Sequence, residues 1–172
     1  MGPVSSEIEI DAPREAAFEL IGDLSRRPSF TNHFLSDFHL TRIESSGVGA
    51  GARFRLHLPL NSAWMETTIT ELEEPFRILE HGRGGRDNRI PAVTLWELTE
   101  RGGSLTTVRV SHWTEPSQPL DKVRDALGAS SFWSERRWRQ VLRRLRDLLE
   151  AEGVAEDRIA VAGGNRYATG IP

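Results

Sequence analysis

The sequence predicts an α+β fold in which one antiparallel sheet of seven strands is followed by a long C-terminal helix. Three observations support this prediction. Strand-like segments and turn residues alternate over about 75 residues, which favours antiparallel pairs over strand-helix-strand units. A strand and a helical segment precede this region, and the residues after it repeat with the period of an amphipathic helix. A chain of 172 residues is also the usual size of one domain with one core.

The N-terminal part of the chain is predicted to form one strand and two helical segments. Isoleucine alternates with glutamate over Ser5–Ile10, as in a half-buried strand. Pro13 then opens a helix, because its fixed φ suits the first helical turn, and Gly22-Asp23 ends it. A second short helix or turn is expected over Pro28–Phe34.

Six more strands are predicted after these helices, and residues typical of turns separate them. Gly47–Gly51 is glycine-rich, but it joins two strands. A phosphate-binding loop would open a helix, so this segment is interpreted as a hairpin turn. A loop over Gly82–Pro91 is expected between the predicted strands Arg77–His81 and Val93–Thr99. The predicted strands are Phe38–Glu44, Ala52–Leu58, Trp64–Leu72, Arg77–His81, Val93–Thr99 and Leu105–Trp113.

The C-terminal helix is predicted over Asp121–Glu150. One face is mostly apolar and the opposite face is charged, as in a helix that packs on a core. The first face carries Leu127, Ser134, Trp138, Val141, Leu145 and Leu148, and the second carries Glu135, Arg139, Arg143, Arg146 and Glu150. We therefore assign residues 1–151 to a single domain. Residues 152–172 form a tail that we expect to pack back on this domain, because it contains several apolar side chains.

Composition excludes several classes of function. The chain contains no cysteine, which excludes disulfides, thiolate metal sites and cysteine nucleophiles. A net charge of -3 argues against general affinity for nucleic acid. The sequence has no apolar stretch long enough to span a membrane and no signal-peptide pattern, so we expect a cytoplasmic protein without membrane insertion. The histidines show no metal-ligand spacing, and we expect neither a metal nor a cofactor.

Several local motifs, in this order, resemble the START-like or SRPBCC superfamily, close to its polyketide cyclase/dehydrase and lipid-transport branch. They are Ile10-Asp11-Ala12-Pro13, Pro28-Ser29-Phe30, Thr70 to Arg77, Trp96-Glu97-Leu98 and the Gly102–Val110 hairpin. The resemblance covers Ser5–Glu150, and Phe30 stands where the family usually has tryptophan. It implies a helix-grip fold, in which the curved sheet wraps around the long helix and a deep cavity between them binds an apolar molecule.

Strand alternation predicts which side chains face this cavity. Phe54, Met65, Trp96 and Val110 each belong to a stripe of side chains on one face of a strand. Such stripes form a packed core in many proteins, and here we interpret them as part core and part cavity wall. The candidate ligand-binding residues are Phe30, Phe34, Phe54, Leu56, Met65, Thr67, Trp96, Val110, His112, Ser134, Arg137 and Trp138.

Two polar residues are the main candidates for chemistry. His112 extends an apolar inward stripe and titrates near neutral pH, so it is the candidate catalytic acid or base; a hydrogen-bonded core histidine is the alternative. Arg137 lies near the apolar face of the long helix, where it would anchor a ligand oxygen or extend to solvent. No carboxylate that would orient His112 is evident in the sequence.

Three functions are consistent with these residues. The first is a carrier or sensor that binds a small apolar ligand such as a lipid, polyketide or isoprenoid. The second is a cofactor-independent cyclase, dehydratase or isomerase with His112 as acid or base. The third is a protein-interaction module of the chaperone-activator or quinone-complex type, using the cationic strip of Arg53, Arg55 and His57 on the outer sheet face.

Overall fold

The structure is a computed structural model that describes residues 3–57, 62–85, 88–102, 104–115 and 131–151, with side chains from residue 135 onward in the last range. Two helices follow the first strand, a run of six strands comes next, and a long helix ends the described chain. The elements are β1 Val4–Asp11, α1 Arg14–Gly22, α2 Pro28–Thr31, β2 Leu35–Leu40, β3 Gly51–His57, β4 Ser62–Glu73, β5 Arg77–Gly84, β6 Ile90–Glu100, β7 Leu105–Thr114 and α3 Ser131–Glu150.

The strands form one sheet of seven, in the order β1-β7-β6-β5-β4-β3-β2, and every neighbouring pair is antiparallel. The sheet is curled into a half-barrel, and α3 packs against β1 and α2 on its concave side. The predicted α+β helix-grip fold is therefore confirmed.

The helices cover the concave face with the residues that the sequence pattern indicated. Pro13 directly precedes the first helical residue of α1, and Phe18, Leu20 and Ile21 of that helix are buried. In α3, the apolar face is buried at Val141, Leu142 and Leu145, whereas Arg139 and Arg143 are exposed. This arrangement agrees with the predicted amphipathic pattern of the long helix.

The strand boundaries differ most from the prediction in two places. β2 lies at Leu35–Leu40 rather than at Phe38–Glu44, and a register shift between Ser36 and His39 accompanies a positive φ of 50° at Asp37. This irregularity breaks the alternation on which the prediction depended. The loop expected over Gly82–Pro91 is shorter, because β5 and β6 continue to pair until Gly84 meets Ile90.

Residues 41–50 connect the antiparallel strands β2 and β3, and the glycine-rich segment ends this connection, with Gly51 as the first residue of β3. Gly47 and Gly49 have φ angles of 87° and 94°, a backbone region that residues with a Cβ seldom adopt. Within the described residues, no helix is long and apolar enough to cross a membrane. Predictions for residues 58, 121–130 and 152–172, including the packing of the tail, lie outside the described residues.

Candidate functional site

The register of β4 to β7 places one row of side chains across the concave face. Glu80 of β5 pairs with Thr94 of β6, and Thr94 pairs with His112 of β7. On its other side, Glu80 pairs with Ile69 of β4. Directly paired residues of antiparallel strands present their side chains on the same face of the sheet. Glu80, Thr94 and His112 therefore form a polar row on a face that is otherwise mainly apolar.

Glu80 is the centre of a buried hydrogen-bond network. Its Oε1 accepts hydrogen bonds from Arg27 Nη2 at 2.7 Å and from Trp96 Nε1 at 2.9 Å. Its Oε2 accepts one from the hydroxyl of Thr67 at 3.0 Å. Arg27 Nη2 also donates to the backbone oxygen of Ile21 at 2.9 Å, which ties the connection between α1 and α2 to the sheet.

The Arg27–Glu80 ion pair is unusually deep for two charged groups. Glu80 is 2% exposed and Arg27 is 5% exposed. Burial of two charges is unfavourable unless hydrogen bonds satisfy them, and three donors satisfy the Glu80 carboxylate here. The Arg27 guanidinium also lies 5.3 Å from the Trp96 ring centroid, although its Nε has no hydrogen-bond partner among the described residues.

A second hydrogen bond extends the row to β7. The Thr94 hydroxyl lies 2.9 Å from Nδ1 of His112, and the His112 ring centroid lies 5.5 Å from that of Trp138 in α3. We call Thr67, Glu80, Thr94 and His112 the polar band. The band crosses four neighbouring strands, and α3 covers its β7 end with an aromatic ring.

Burial differs on the two sides of the polar band. On the side of α1, the concave face is fully packed, and we call this side the closed half. Large side chains fill it completely, with no exposed surface at Ile69, Ile78, Trp96, Val108 and Val110. These residues form a conventional core with α1 and the C-terminal part of α3.

On the other side of the band, apolar side chains of the concave face are only half-buried, and we call this side the open half. It includes Phe54 and Leu56 of β3 and Met65 of β4. Thr67 and His112 of the polar band are half-buried as well. Apolar side chains that point inward and yet keep accessible surface are what a ligand cavity requires.

The rim of the open half is formed by α2, α3 and the end of β3. Phe34 lies 6.0 Å from the ring centroid of Trp138, in an edge-on arrangement. The Arg137 guanidinium stacks 5.6 Å from the Phe34 ring and donates to the backbone oxygen of His57. Burial lowers the pKa of Arg137 to about 10, because desolvation disfavours the charged form. Arg137 is thus partly buried and contacts both Phe34 and the end of β3.

His33 connects α2 to α3 beside this rim. Nδ1 of His33 lies 3.2 Å from Nη1 of Arg144, which also donates to Oδ1 of Asn32. An arginine can only donate, so Nδ1 must act as the acceptor of a neutral imidazole. Burial and the positive charge of Arg144 lower the pKa of His33 to about 4.

The structure distributes the sequence-predicted site residues between the two halves. Phe34, Phe54, Leu56, Met65, Thr67, His112, Arg137 and Trp138 lie at the open half, its rim or the polar band. Phe30, Trp96 and Val110 are 0% exposed and belong to the closed half, so they support the wall without accessible surface of their own. Ser134 belongs to α3, but its side chain lies outside the described part of the chain.

Arg27, Glu80 and Thr94 are site residues that sequence reasoning missed. Alternation along β5 does place Glu80 on the same face as Ile78, so an inward carboxylate was a detectable signal. Its partner Arg27 is 53 residues away in the chain, in a turn without periodicity, and nothing local reveals the pair. Thr94 lies between Glu80 and His112 in the register of the sheet.

The arginines of the cationic strip on the convex face have acidic neighbours, which the sequence analysis did not anticipate. Arg53 and Arg55 lie 4.8 and 5.3 Å from the ring centroid of Trp64. Each also has an acidic neighbour at 3.7 Å, Glu66 for Arg53 and Asp37 for Arg55. The strip is therefore compensated in charge. Among the residues described, no group of three or more His, Cys, Asp or Glu side chains is arranged to hold a metal ion.

A curled antiparallel sheet around a C-terminal helix, with a half-buried apolar face, defines a START-like helix-grip protein. The chain belongs to the polyketide cyclase / dehydrase and lipid transport family, whose family model matches residues 1–150. No match was found among curated protein sequences.

Solved structures share the fold at low sequence identity. The KanY protein is 18% identical, with a TM-score of 0.68, and the match covers 88% of this chain and 100% of KanY. Major latex-like protein 151 from Panax ginseng is 14% identical, with a TM-score of 0.62 and coverage of 87% and 98%. A START superfamily protein from Mycobacterium smegmatis is 13% identical, with a TM-score of 0.62 and coverage of 86% and 97%. These similarities establish the fold alone.

Proposed function

We propose that this protein binds a small, largely apolar molecule between the concave face of the sheet and α3, as a carrier or sensor. The observation that carries the proposal is the contrast between the two halves of the concave face. Phe54, Leu56 and Met65 keep accessible surface although they point inward, whereas the core beyond the polar band is completely packed. Exposed inward apolar surface is unfavourable in water, and an apolar ligand would remove it from solvent.

The aromatic residues at the rim favour a ligand of this kind. Trp138 lies within 6.0 Å of Phe34 and within 5.7 Å of Trp96, measured between ring centroids. Phe38 stacks on Phe54 at 5.4 Å with an interplanar angle of 6°. Large, rigid rings of this type provide apolar contact area at little cost in conformational entropy.

Binding is better supported than the cyclase or dehydratase alternative. Nδ1 of His112 lies 2.9 Å from the hydroxyl of Thr94, which is a neutral group. A general base of the kind expected from the sequence gains strength from an orienting carboxylate. The polar band instead has the character of a few fixed polar groups in an apolar site, which is typical of ligand recognition.

The proposal is tested with a neutral apolar dye, N-phenyl-1-naphthylamine, whose fluorescence rises when it leaves water. We expect the wild-type protein to bind the dye. We expect Leu56→Trp to bind it at least about tenfold more weakly, because the larger ring fills the open half, and a tenfold loss corresponds to about 1.4 kcal/mol.

The matched control is Thr68→Trp, since Thr68 is exposed and belongs to the opposite face of β4. This variant should bind the dye like the wild type, and circular dichroism should show both variants folded. Failure of the wild-type protein to bind the dye, or equal binding by Leu56→Trp, would refute a ligand site in the open half.

A further inference from the structure

We propose that Thr67 is a specificity-determining residue which selects, among apolar ligands, those that carry a hydroxyl or another hydrogen-bond donor. The inference rests on the proposed function and specifies the chemistry of the ligand. It follows from the direction of a single hydrogen bond within the polar band.

The direction of that bond is fixed by Glu80. Glu80 forms an ion pair with Arg27 at 2.7 Å, and a carboxylate in an ion pair only accepts hydrogen bonds. Its Oε1 already accepts from Arg27 and Trp96. The hydroxyl hydrogen of Thr67 must therefore point at Oε2, 3.0 Å away. The oxygen of Thr67 keeps its lone pairs but has no hydrogen left to donate.

Thr67 is accessible from the concave side. It is half-buried, and its partners in the neighbouring strands are Ala52 of β3 and Gly82 of β5, both with little or no side chain. Gly82 also has a structural reason to remain small. A Cβ at this position would lie 2.3 Å from the backbone oxygen of Glu66. Neither neighbour has a side chain long enough to cover Thr67, and the half-buried Thr67 keeps accessible surface that a ligand can approach.

The consequence is a preference between ligand groups of similar size. A hydroxyl on the ligand donates to the Thr67 oxygen and replaces a hydrogen bond to water. An ether or ketone oxygen at the same place has no hydrogen to donate. The ligand oxygen and the Thr67 oxygen are then two acceptors that face each other without a donor, which is unfavourable in a desolvated site. Toward the ligand, Thr67 thus acts only as a hydrogen-bond acceptor, because its own hydrogen is donated to Glu80, which Arg27 holds in place.

Three naphthalene probes of nearly equal shape test this inference: 2-naphthol, 2-methoxynaphthalene and naphthalene. Their affinities are measured by displacement of N-phenyl-1-naphthylamine. One neutral hydrogen bond in a buried site changes affinity by about three- to tenfold. We expect the wild-type protein to bind 2-naphthol more tightly than either other probe by this factor.

The variants Thr67→Val and Thr67→Ser separate the hydrogen bond from the shape of the site. Thr67→Val has the same shape without the hydroxyl and should lose the preference for 2-naphthol. Thr67→Ser keeps the hydroxyl and should restore the preference for 2-naphthol. Thr68→Val, on the opposite face of the same strand, serves as the matched control and should keep the wild-type preference.

The outcomes distinguish this inference from the function on which it rests. Equal binding of the three probes by the wild-type protein, or a preference for 2-naphthol that survives in Thr67→Val, overturns the role of Thr67 and leaves apolar binding intact. Absence of binding by the dye as well as by all three probes overturns both, whereas binding of the dye without displacement by any probe overturns the role of Thr67 alone.

Discussion

Glu80 and Arg27 form a buried ion pair that holds together several parts of this fold. The pair joins β5 to the turn between α1 and α2, and its atoms are 2.7 Å apart at a position with almost no solvent. Replacing only one partner leaves the other charged and buried, which is far worse than the loss of the attraction itself. The same carboxylate also holds Trp96 and Thr67, so the local hydrogen bonds are interdependent.

Glu80→Leu is therefore expected to lower the free energy of unfolding by about 3–5 kcal/mol, the usual cost of leaving a buried charge unpaired. Urea denaturation followed by tryptophan fluorescence measures this change. The double variant Arg27→Met/Glu80→Leu should recover a large part of the loss, because both charges are then absent.

A matched control for Glu80 is Glu66→Gln on the convex face. The Glu66 side chain is 44% exposed and lies 3.7 Å from Arg53, so its loss should cost less than about 1 kcal/mol. If Glu80→Leu were no more destabilising than Glu66→Gln, the buried pair would not have the structural role assigned to it.

At the scale of elements, α2 is a short helix held between the sheet and α3 by contacts on both sides. Phe30 packs into the closed half, whereas His33, just after the helix, meets Arg144 of α3. Sequence periodicity predicted the strands, α1 and α3 because each has a repeated apolar face. It missed the start of β2, where the bulge between Ser36 and His39 breaks the alternation, and it gave no sign of the α2 contacts, which join segments distant in the chain.

The junction between α2 and α3 predicts a pH-dependent stability. The pKa of His33 is lowered from 6.5 to about 4 in the folded protein. At pH values between these two pKa values, His33 is therefore protonated in the unfolded chain and neutral in the folded chain. The stabilising contribution of neutral His33 is complete above about pH 6.5 and is lost as the pH falls toward 4. Protonation would place a third cation beside Arg144 and Arg137.

The test compares urea unfolding of the wild type and His33→Gln at pH values near 7 and near 4.5. The wild type should lose more stability on acidification than His33→Gln, by about 1 kcal/mol once the partial exposure of the ring is taken into account. His39→Gln removes an exposed histidine and should behave like the wild type. Identical acid sensitivity in all three proteins would contradict the assigned role of His33.

At the scale of the whole molecule, the polar band divides one sheet into a half that is packed like a core and a half whose apolar face is partly uncovered. The α+β class followed from the sequence, because alternation in the strands and the helical repeat of α3 are local signals, and the family resemblance implied the curved sheet around the helix. The division between the halves did not, since it depends on how α1, α2 and α3 cover the sheet. Side chains with the same predicted orientation, such as Phe54 and Trp96, therefore differ in burial.

This division predicts unequal stability within the molecule, which hydrogen exchange followed by mass spectrometry can measure. Amides of β5 and β6 around Ile78 and Trp96 should exchange most slowly, because they lie under fully buried side chains. Amides of β3 around Phe54–Leu56 should exchange faster, by about tenfold or more, since fewer buried contacts hold them.

Addition of N-phenyl-1-naphthylamine should slow exchange in β3 and at the start of β4 while leaving the closed half unchanged. The same addition should have no effect on Leu56→Trp, in which the ring occupies the space of the dye. Equal exchange in the two halves, or dye protection in the closed half alone, would show that the open half is as well packed as the core and that any ligand binds elsewhere.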